Sequence, residues 1–247
     1  IAKFLKVKLA LAGLSAIIII VVVALFAYII SPDNSPNANS QQITLANLRP
    51  GTTIKFIKIK ENKSETQQSF INGFLSGFCD SFIYIPYEKY VIKNDSIVIT
   101  EFGSSENTQF YSIYHLIDAT FAIDIEQKIE QKDGRYIFTK YNGKKEIISK
   151  EELQELIDSQ TITKHYLLGT DRFGRDLLSR IIVGSRISIS VGFVAVSISI
   201  IIGVFFGLLA GYYGGIADRI IMWLINVVWA IPTLLLVIAV SMVLGKG

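Results

Sequence analysis

Three long uncharged apolar runs constrain this chain more than any other feature. The first is Leu9 to Ile30, 22 residues without a charge. The second lies between Arg186 and Asp218, and the third between Arg219 and Lys246. About 20 apolar residues rising ~1.5 Å each cross the roughly 30 Å hydrocarbon core of a bilayer. Inside lipid a backbone must satisfy its own hydrogen bonds, so each run is expected to be a helix. At 51% hydrophobic and 18% charged, the chain is too apolar for an ordinary soluble domain of its length. Lys3, Lys6 and Lys8 ahead of the first run imitate the start of a secretory signal. The run is longer than the ~7–15 apolar residues of such signals, and Ser31-Pro32-Asp33 offers no small-x-small cleavage site. It reads as a retained span.

The net charge of +3 is unevenly split. Residues 31–165 hold 15 Lys+Arg against 18 Asp+Glu, so the basic excess belongs to the membrane-flanking parts. No basic face with interleaved aromatics appears, which argues against a nucleic-acid partner. Basic residues flank membrane spans on the cytoplasmic side. Lys3, Lys6 and Lys8 therefore place the N-terminus in the cytoplasm and residues 31–186 outside. The second run returns inward near Tyr212-Tyr213-Gly214-Gly215, and the third runs outward again. Cys79 is the single cysteine, so no intrachain disulfide forms; beside Phe78 it reads as a small buried hydrophobe. Ile1 in place of Met, and a chain that stops at the end of an apolar run, lead us to expect a portion of a longer protein.

The chain organises into five segments. Residues 1–30 are a cytoplasmic N-terminus and first span. Residues 31–42, SPDNSPNANSQQ, read as a polar linker. Residues 43–164 read as an α+β domain. Thr53 to Lys60 nearly alternates apolar and charged residues, as a half-buried strand does. Further strands are expected at 90–92, 96–100 and 135–140, the last closed by a turn at Asn142-Gly143. Ser149 and Glu152 form a capping box opening a helix with Leu153, Leu156 and Ile157 on one face. Residues 165–186 read as an outer amphipathic elbow, with Leu177, Leu178, Ile181 and Ile182 as its apolar face. Residues 187–247 carry the second and third spans.

Sites for chemistry are scarce. His115 and His165 have no metal-ligand partner at helical spacing and read as structural. Gly169 to Asp176 superficially imitates a phosphate-binding G-x4-G-K-S/T loop, but Asp176 stands where a hydroxyl is needed and would repel phosphate. Asn62-Lys63-Ser64 and Asn94-Asp95-Ser96 match glycosylation sequons by pattern alone. We expect no catalytic residue, no metal site and no cofactor in this chain.

Two constellations remain. Ala195, Ser199, Gly203, Gly207 and Gly211 recur every fourth residue and share one helix face. Small faces let helices approach closely in lipid, so this row is expected at a helix packing interface. Ahead of it, Gly169, Thr170, Asp171, Gly174, Arg175, Asp176 and Arg180 form a turn rich in glycine and alternating charge, in which Asp171, Arg172, Arg175 and Asp176 are placed to pair locally. Pro232 lacks a helix N–H and is expected to kink the third span.

The stretch LLGTDRFGRDLLSRIIVGSRISISVGFVAV, continued by GVFFGLLAGYYGGIADRIIMWLINVVWAIPTLLLVIAV, resembles the permeases of peptide and nickel ABC importers, C-type subunits. The resemblance covers roughly residues 165–245 and rests most specifically on LGTD…GRD…SR. It implies the fold class: an α-helical polytopic membrane protein of the type I importer permease kind. Residues 43–164 do not resemble that family's short outer loop and read as an inserted extracytoplasmic α+β domain. The resemblance further implies a bacterial inner-membrane protein that imports peptides by alternating access. Its partners would be a homologous second permease, two cytoplasmic ATPases holding ATP and Mg²⁺, and an extracytoplasmic binding protein. The 169–180 motif would sit at the outer gate. The family's cytoplasmic coupling helix is expected beyond Gly247. A rival reading is a membrane-anchored sensor using residues 43–164 as a ligand-binding module.

Overall fold

The computed structural model describes residues 7–63, 68–104, 110–123, 129–132 and 134–245. Lys3, Lys6, Ser64 and Lys246 lie outside the described residues. The chain divides into two compact units, Ile1–Ile187 and Ser188–Gly247.

The first unit opens with α1 (Lys8–Leu25), long and apolar enough to cross a membrane. After a break at Phe26, α2 (Ala27–Ile30) buries Ala27 and Tyr28. The polar segment after it is not a free linker. It folds into short 3-10 turns at Pro36–Ala38 and Ile43–Leu45 and buries Ala38 and Leu45 completely. Asp33 organises it: its carboxylate accepts from the Ser35 and Ser40 amides at 3.1 and 3.2 Å and from the Ser40 hydroxyl.

Beyond it lies an antiparallel sheet built of β1 (Thr52–Lys60), β2 (Phe82–Lys93), β3 (Ser96–Glu101), β4 (Tyr111–His115) and β8 (Thr161–Tyr166), in the order β4-β3-β2-β1-β8. A second sheet joins β5 (Glu130–Lys132), β6 (Arg135–Thr139) and β7 (Lys145–Ser149). The helices are α3 (Phe70–Ser76), α4 (Leu116–Thr120) and α5 (Lys150–Ser159). The capping box of α5 forms as its residue types dictate: the Glu152 amide donates to the Ser149 hydroxyl at 3.2 Å, and the Ser149 amide donates back to Glu152 at 3.0 Å. Leu153 and Ile157 are buried on this helix, while Leu156 stays at its exposed edge.

The expected alternation in β1 hides a change of phase. Ile54 and Phe56 face one side of the sheet, and Ile57 and Ile59 the other, because successive strand residues alternate. All four are buried. The doublet Phe56-Ile57 is thus where the strand switches its buried face. Ile57 and Ile59 join the main core with Ile97, Ile99, Leu116, Ile117, Tyr136, Phe138, Leu153 and Ile157. Ile54 and Phe56 join a smaller core on the opposite face with Leu45 and Tyr166. The domain therefore packs helices on one face and the 31–51 strap on the other.

Cys79 differs from expectation, whereas His115 and His165 take the structural roles expected of them. Cys79 is exposed, because it follows α3 on the outside of a turn where its amide donates to Gln68 Oε1 at 2.8 Å. His115 caps α4, accepting the Ile117 amide at 3.3 Å, and His165 Nδ1 pairs with the Thr53 hydroxyl at 2.7 Å.

Residues 165–186, read above as one elbow, divide among three structures. His165 and Tyr166 complete β8, a turn follows, and Leu177 begins α6 (Leu177–Tyr213), one continuous helix of 37 residues. Ser179 and Val183 are its buried positions, whereas Ile181 is exposed. The expected apolar face is therefore rotated: burial centres on Ser179 and Val183, with Ile182 packed beside them.

In the second unit, α6 continues with apolar, exposed side chains. The third apolar run is not one helix. It forms α7 (Gly215–Ala230) and α8 (Thr233–Leu244), bent by 83° at Ile231-Pro232. Proline removes a helix donor and pushes its predecessor out of helical geometry, and Ile231 is extended at ψ 121°. The kink is thus a full break. Neither α7 nor α8 has a buried residue.

Ile57 is completely enclosed. Ile57→Ala is expected to cost about 2–5 kcal/mol of stability, as for other enclosed large-to-small changes. Ile113→Ala, at an exposed strand position, is expected to stay within about 0.5 kcal/mol. Denaturant unfolding of the detergent-solubilised chain, followed by near-UV circular dichroism, measures both.

Candidate functional site at the root of the long helix

The turn between β8 and α6 brings five of the expected motif residues into one structure. Asp171 is its centre. Its Oδ1 accepts the Phe173 and Arg175 amides at 2.8 and 3.0 Å, and its Oδ2 accepts Arg175 Nε at 2.8 Å and Nη2 at 2.7 Å. The Asp171 amide donates to the Arg175 carbonyl at 3.0 Å. One carboxylate thus fixes a five-residue loop and orients the guanidinium, whose Nη1 donates to Asn39 Oδ1 at 3.0 Å. Arg172 does not join this pairing; its guanidinium lies over the Phe173 ring, 4.7 Å from the centroid.

The glycines are required where the strap approaches. Gly169 and Gly174 sit at φ +75° and +72°. A Cβ on Gly174 would collide with the Gln42 carbonyl, and one on Gly169 with the Leu48 carbonyl. These are positions where only a glycine combines left-handed backbone with close approach. Thr170 is buried and acts as a rivet: its hydroxyl accepts the Leu48 amide at 2.8 Å and donates to the Leu45 carbonyl. The Asn47 amide donates to the Asp171 carbonyl at 3.0 Å, and the Gln42 amide to the Phe173 carbonyl at 3.1 Å. Strap and turn are thereby laced together along most of their length.

Asp176 begins the helix. It is buried, and its Oδ2 accepts the Ser179 amide at 2.9 Å as well as the Ser179 hydroxyl. Its carboxylate sits at a helix N-terminus, where negative charge is favoured. Ser179 Oγ in turn accepts the Asp33 amide at 2.9 Å, tying the helix to the strap. Arg180 is half-buried and enters the helix through its amide, which donates to the Asp176 carbonyl at 3.1 Å. A residue that the motif reading did not single out completes the root: Arg186 Nη1 donates to the Phe74 carbonyl at 2.7 Å and lies over the Tyr28 and Phe74 rings. Tyr28, Ala27, Ala38 and Val183 form a small core there. The strap residues were also not singled out; Leu45 and Leu48, apolar in a polar stretch, are their trace in the sequence.

The small-residue row behaves differently. Ala195, Ser199, Gly203, Gly207 and Gly211 all lie exposed along α6, and the Ser199 hydroxyl turns back to the Ala195 carbonyl at 2.9 Å. Nothing stands within 4 Å of a Cβ placed on Gly203, Gly207 or Gly211. Among the described residues, this face has no covering helix. Pro232 caps α8 at the break.

Comparison with known proteins shows what the chain is similar to. Residues 1–50 match the family described as the N-terminal TM domain of oligopeptide transport permease C. The chain is 56% identical over 79 residues to the dipeptide transport system permease protein DppC of Haemophilus influenzae, covering 32% of this chain and 27% of the relative. It is 51% identical over 80 residues to the glutathione transport system permease protein GsiD of Pectobacterium atrosepticum, with 32% and 27% covered. The oligopeptide transport system permease protein OppC of Bacillus subtilis is 44% identical over 85 residues, 34% of this chain and 28% of the relative. The chain thus spans little more than a quarter of each relative's length. It is related to C-type peptide transport permeases. No solved structure matches.

The clamp carries a pH signature. Burial pushes the Asp171 carboxyl up, but the Arg175 hydrogen bond, the Arg175 and Phe173 amides and the Arg175 charge outweigh it and hold the group below its ordinary 3.8. A carboxylate depressed in the folded state contributes stability that is present above its unfolded pKa and lost as pH falls through the folded one. Hydrogen exchange at residues 42–48 is therefore expected to stay slow above pH ~4 and to accelerate below it. In Asp171→Asn, exchange there is expected to be faster at neutral pH and to lose this acid step.

Proposed function

We propose that this chain is a transmembrane permease subunit of an ATP-driven, binding-protein-dependent importer of peptides. The supporting observation is the relatedness to peptide permeases at both the first span and the stretch that includes a third of the chain. In this reading the N-terminus is cytoplasmic, since Lys8 stands at the first turn of α1. Residues 31–186 are extracytoplasmic, and 43–164 are an inserted α+β domain. The protein resides in the bacterial inner membrane. A homologous permease, two cytoplasmic ATPases carrying ATP and Mg²⁺, and an extracytoplasmic binding protein complete the importer. This subunit catalyses no reaction itself.

Two features of the second unit support a role inside a larger bundle. Exposed glycines at every fourth position of α6 suit close packing against a partner helix. The break at Ile231-Pro232 leaves backbone groups outside helical bonding, which at membrane depth is tolerated where protein covers it or a water-filled path adjoins it. The two permeases would rock about such a bundle, opening a central path first outward and then inward. The 169–180 turn would sit at the outer gate, transmitting the position of the outer domain to α6.

Uptake of a labelled dipeptide into cells or proteoliposomes carrying the complete importer tests this. ATP-dependent uptake is expected, and Asp171→Ala with Arg175→Ala is expected to reduce it at least about tenfold, because together they remove the hydrogen bonds that close the turn and reach Asn39. Unaltered uptake in that variant contradicts the gate role. Gly207→Leu is expected to abolish co-purification with the second permease while the outer unit stays folded by circular dichroism.

A further inference from the structure

The side of the sheet that carries Phe56 holds more than a core. Lys58, Lys60 and Lys164 all emerge there, because they share the strand phase of Ile54 and Phe56 or pair across from it. Beside them a cleft of about 440 Å³ opens between the sheet, the strap and the first turn of α6. Its volume is in the range of small-molecule sites. Phe82 and Tyr84 line the sheet side; Asp33, Gln42 and Asp176 line the other.

Most polar groups around the cleft are satisfied. Asp33 accepts from Ser35 and Ser40, His165 pairs with Thr53, the Tyr84 hydroxyl donates to Asp80, and Gln42 Nε2 donates to the Tyr84 carbonyl at 2.8 Å. Two charged groups of opposite sign are not, and neither is the Tyr166 hydroxyl among the described residues. The Lys164 ammonium lies 4.1 Å from the Tyr84 ring centroid and 5.3 Å from that of Phe56, and it has no ion pair or hydrogen bond among the described residues. Burial pushes its pKa down, partly offset by Asp33, Asp80 and Asp176. Asp176 is 7% exposed, and its Oδ1 is enclosed with no donor, although Oδ2 is fully used by Ser179. Buried polar groups normally find partners. The lone Lys164 ammonium and the lone Asp176 oxygen in the walls of one cleft, with the Tyr166 hydroxyl and aromatic faces beside them, define a complementary ligand: an anion, a donor amine and an apolar body in one small molecule.

We propose that this cleft binds an amino-acid-like zwitterion, its carboxylate received by Lys164 Nζ and its protonated amine by Asp176 Oδ1, with its apolar part against Tyr84 and Phe82. The aromatic rings already hold the ammonium of Lys164 in place by cation–π contact, so little ordering remains when the carboxylate arrives. This site lies in the first unit and does not depend on the transport reading. A free amino acid and the terminus-bearing ends of a short peptide share the required chemistry.

Isothermal titration of the full chain in lipid nanodiscs separates the possibilities, with phenylalanine and alanyl-phenylalanine as probes. At least one is expected to bind, and the tighter of the two identifies the source. N-acetylation or C-terminal amidation of that probe is expected to weaken binding at least about tenfold, since each removes one charged partner. Lys164→Met is expected to weaken the free probe by a similar factor and to leave the amidated probe unchanged. Because the modified probes act on the unaltered protein, this holds even if Lys164→Met fails to fold. Absence of binding by both probes at millimolar concentration overturns the proposal, as do modified probes that bind equally well. Binding that is indifferent to Lys164→Met in a folded variant also overturns it, by placing the ligand elsewhere, and leaves the permease reading intact. Binding as expected without any dipeptide uptake by the complete importer would overturn the permease reading and leave the cleft standing.

Discussion

The carboxylate of Asp171 is the point on which the first unit depends. It closes its own turn through two amides and aims Arg175 at the strap. That turn presents Thr170 to Leu45 and Leu48, and leaves Gly174 flush against Gln42. The strap is held in turn against Ile54, Phe56 and Tyr166, forming the smaller core. Asp176, five residues further along, precedes α6 and ties it through Ser179 to Asp33. Domain, strap and long helix therefore meet at one half-buried ion pair and its hydrogen bonds. With its side chains 15% and 16% exposed, the pair is screened less by solvent than a surface pair.

The second unit obeys a different constraint. In lipid no hydrophobic force drives helices together, so small residues and shape complementarity do it. The uncovered row from Ala195 to Gly211 and the break at Pro232 are consistent with helices whose neighbours come from elsewhere in a bundle. The two units illustrate one division of labour: polar chemistry fixes the first, and steric fit would fix the second.

Local rules made much of this legible from residues alone. The capping box at Ser149 and Glu152, the strands at 53–60, 90–92 and 96–100, and the first two helical spans each follow from interactions within a few positions. The phase change at Phe56-Ile57 was visible as a lapse in alternation, yet its meaning required knowing that the strap covers the second face. The strap itself was illegible, since Leu48 and Thr170 meet across 122 residues. The same separation hid the cleft, whose walls come from both ends of the domain. Pro232 signalled a kink, but its 83° angle follows from an extended Ile231 that no local rule fixes. Cys79 was misread because a neighbouring Phe78 suggested burial, whereas the chain turns there and leaves the thiol outside.

Exposure of that thiol provides the most direct check of the proposal that the α+β unit stands on the outer face of a bacterial inner membrane, fastened there to the root of the long helix. Cys79 is the single cysteine of the chain and is exposed on this unit. Labelling with a membrane-impermeant maleimide, applied to spheroplasts, reports its side of the membrane. The account predicts full labelling in intact spheroplasts, unchanged by permeabilisation and absent in Cys79→Ser. Labelling that appears only after permeabilisation would place the unit in the cytoplasm and contradict the account.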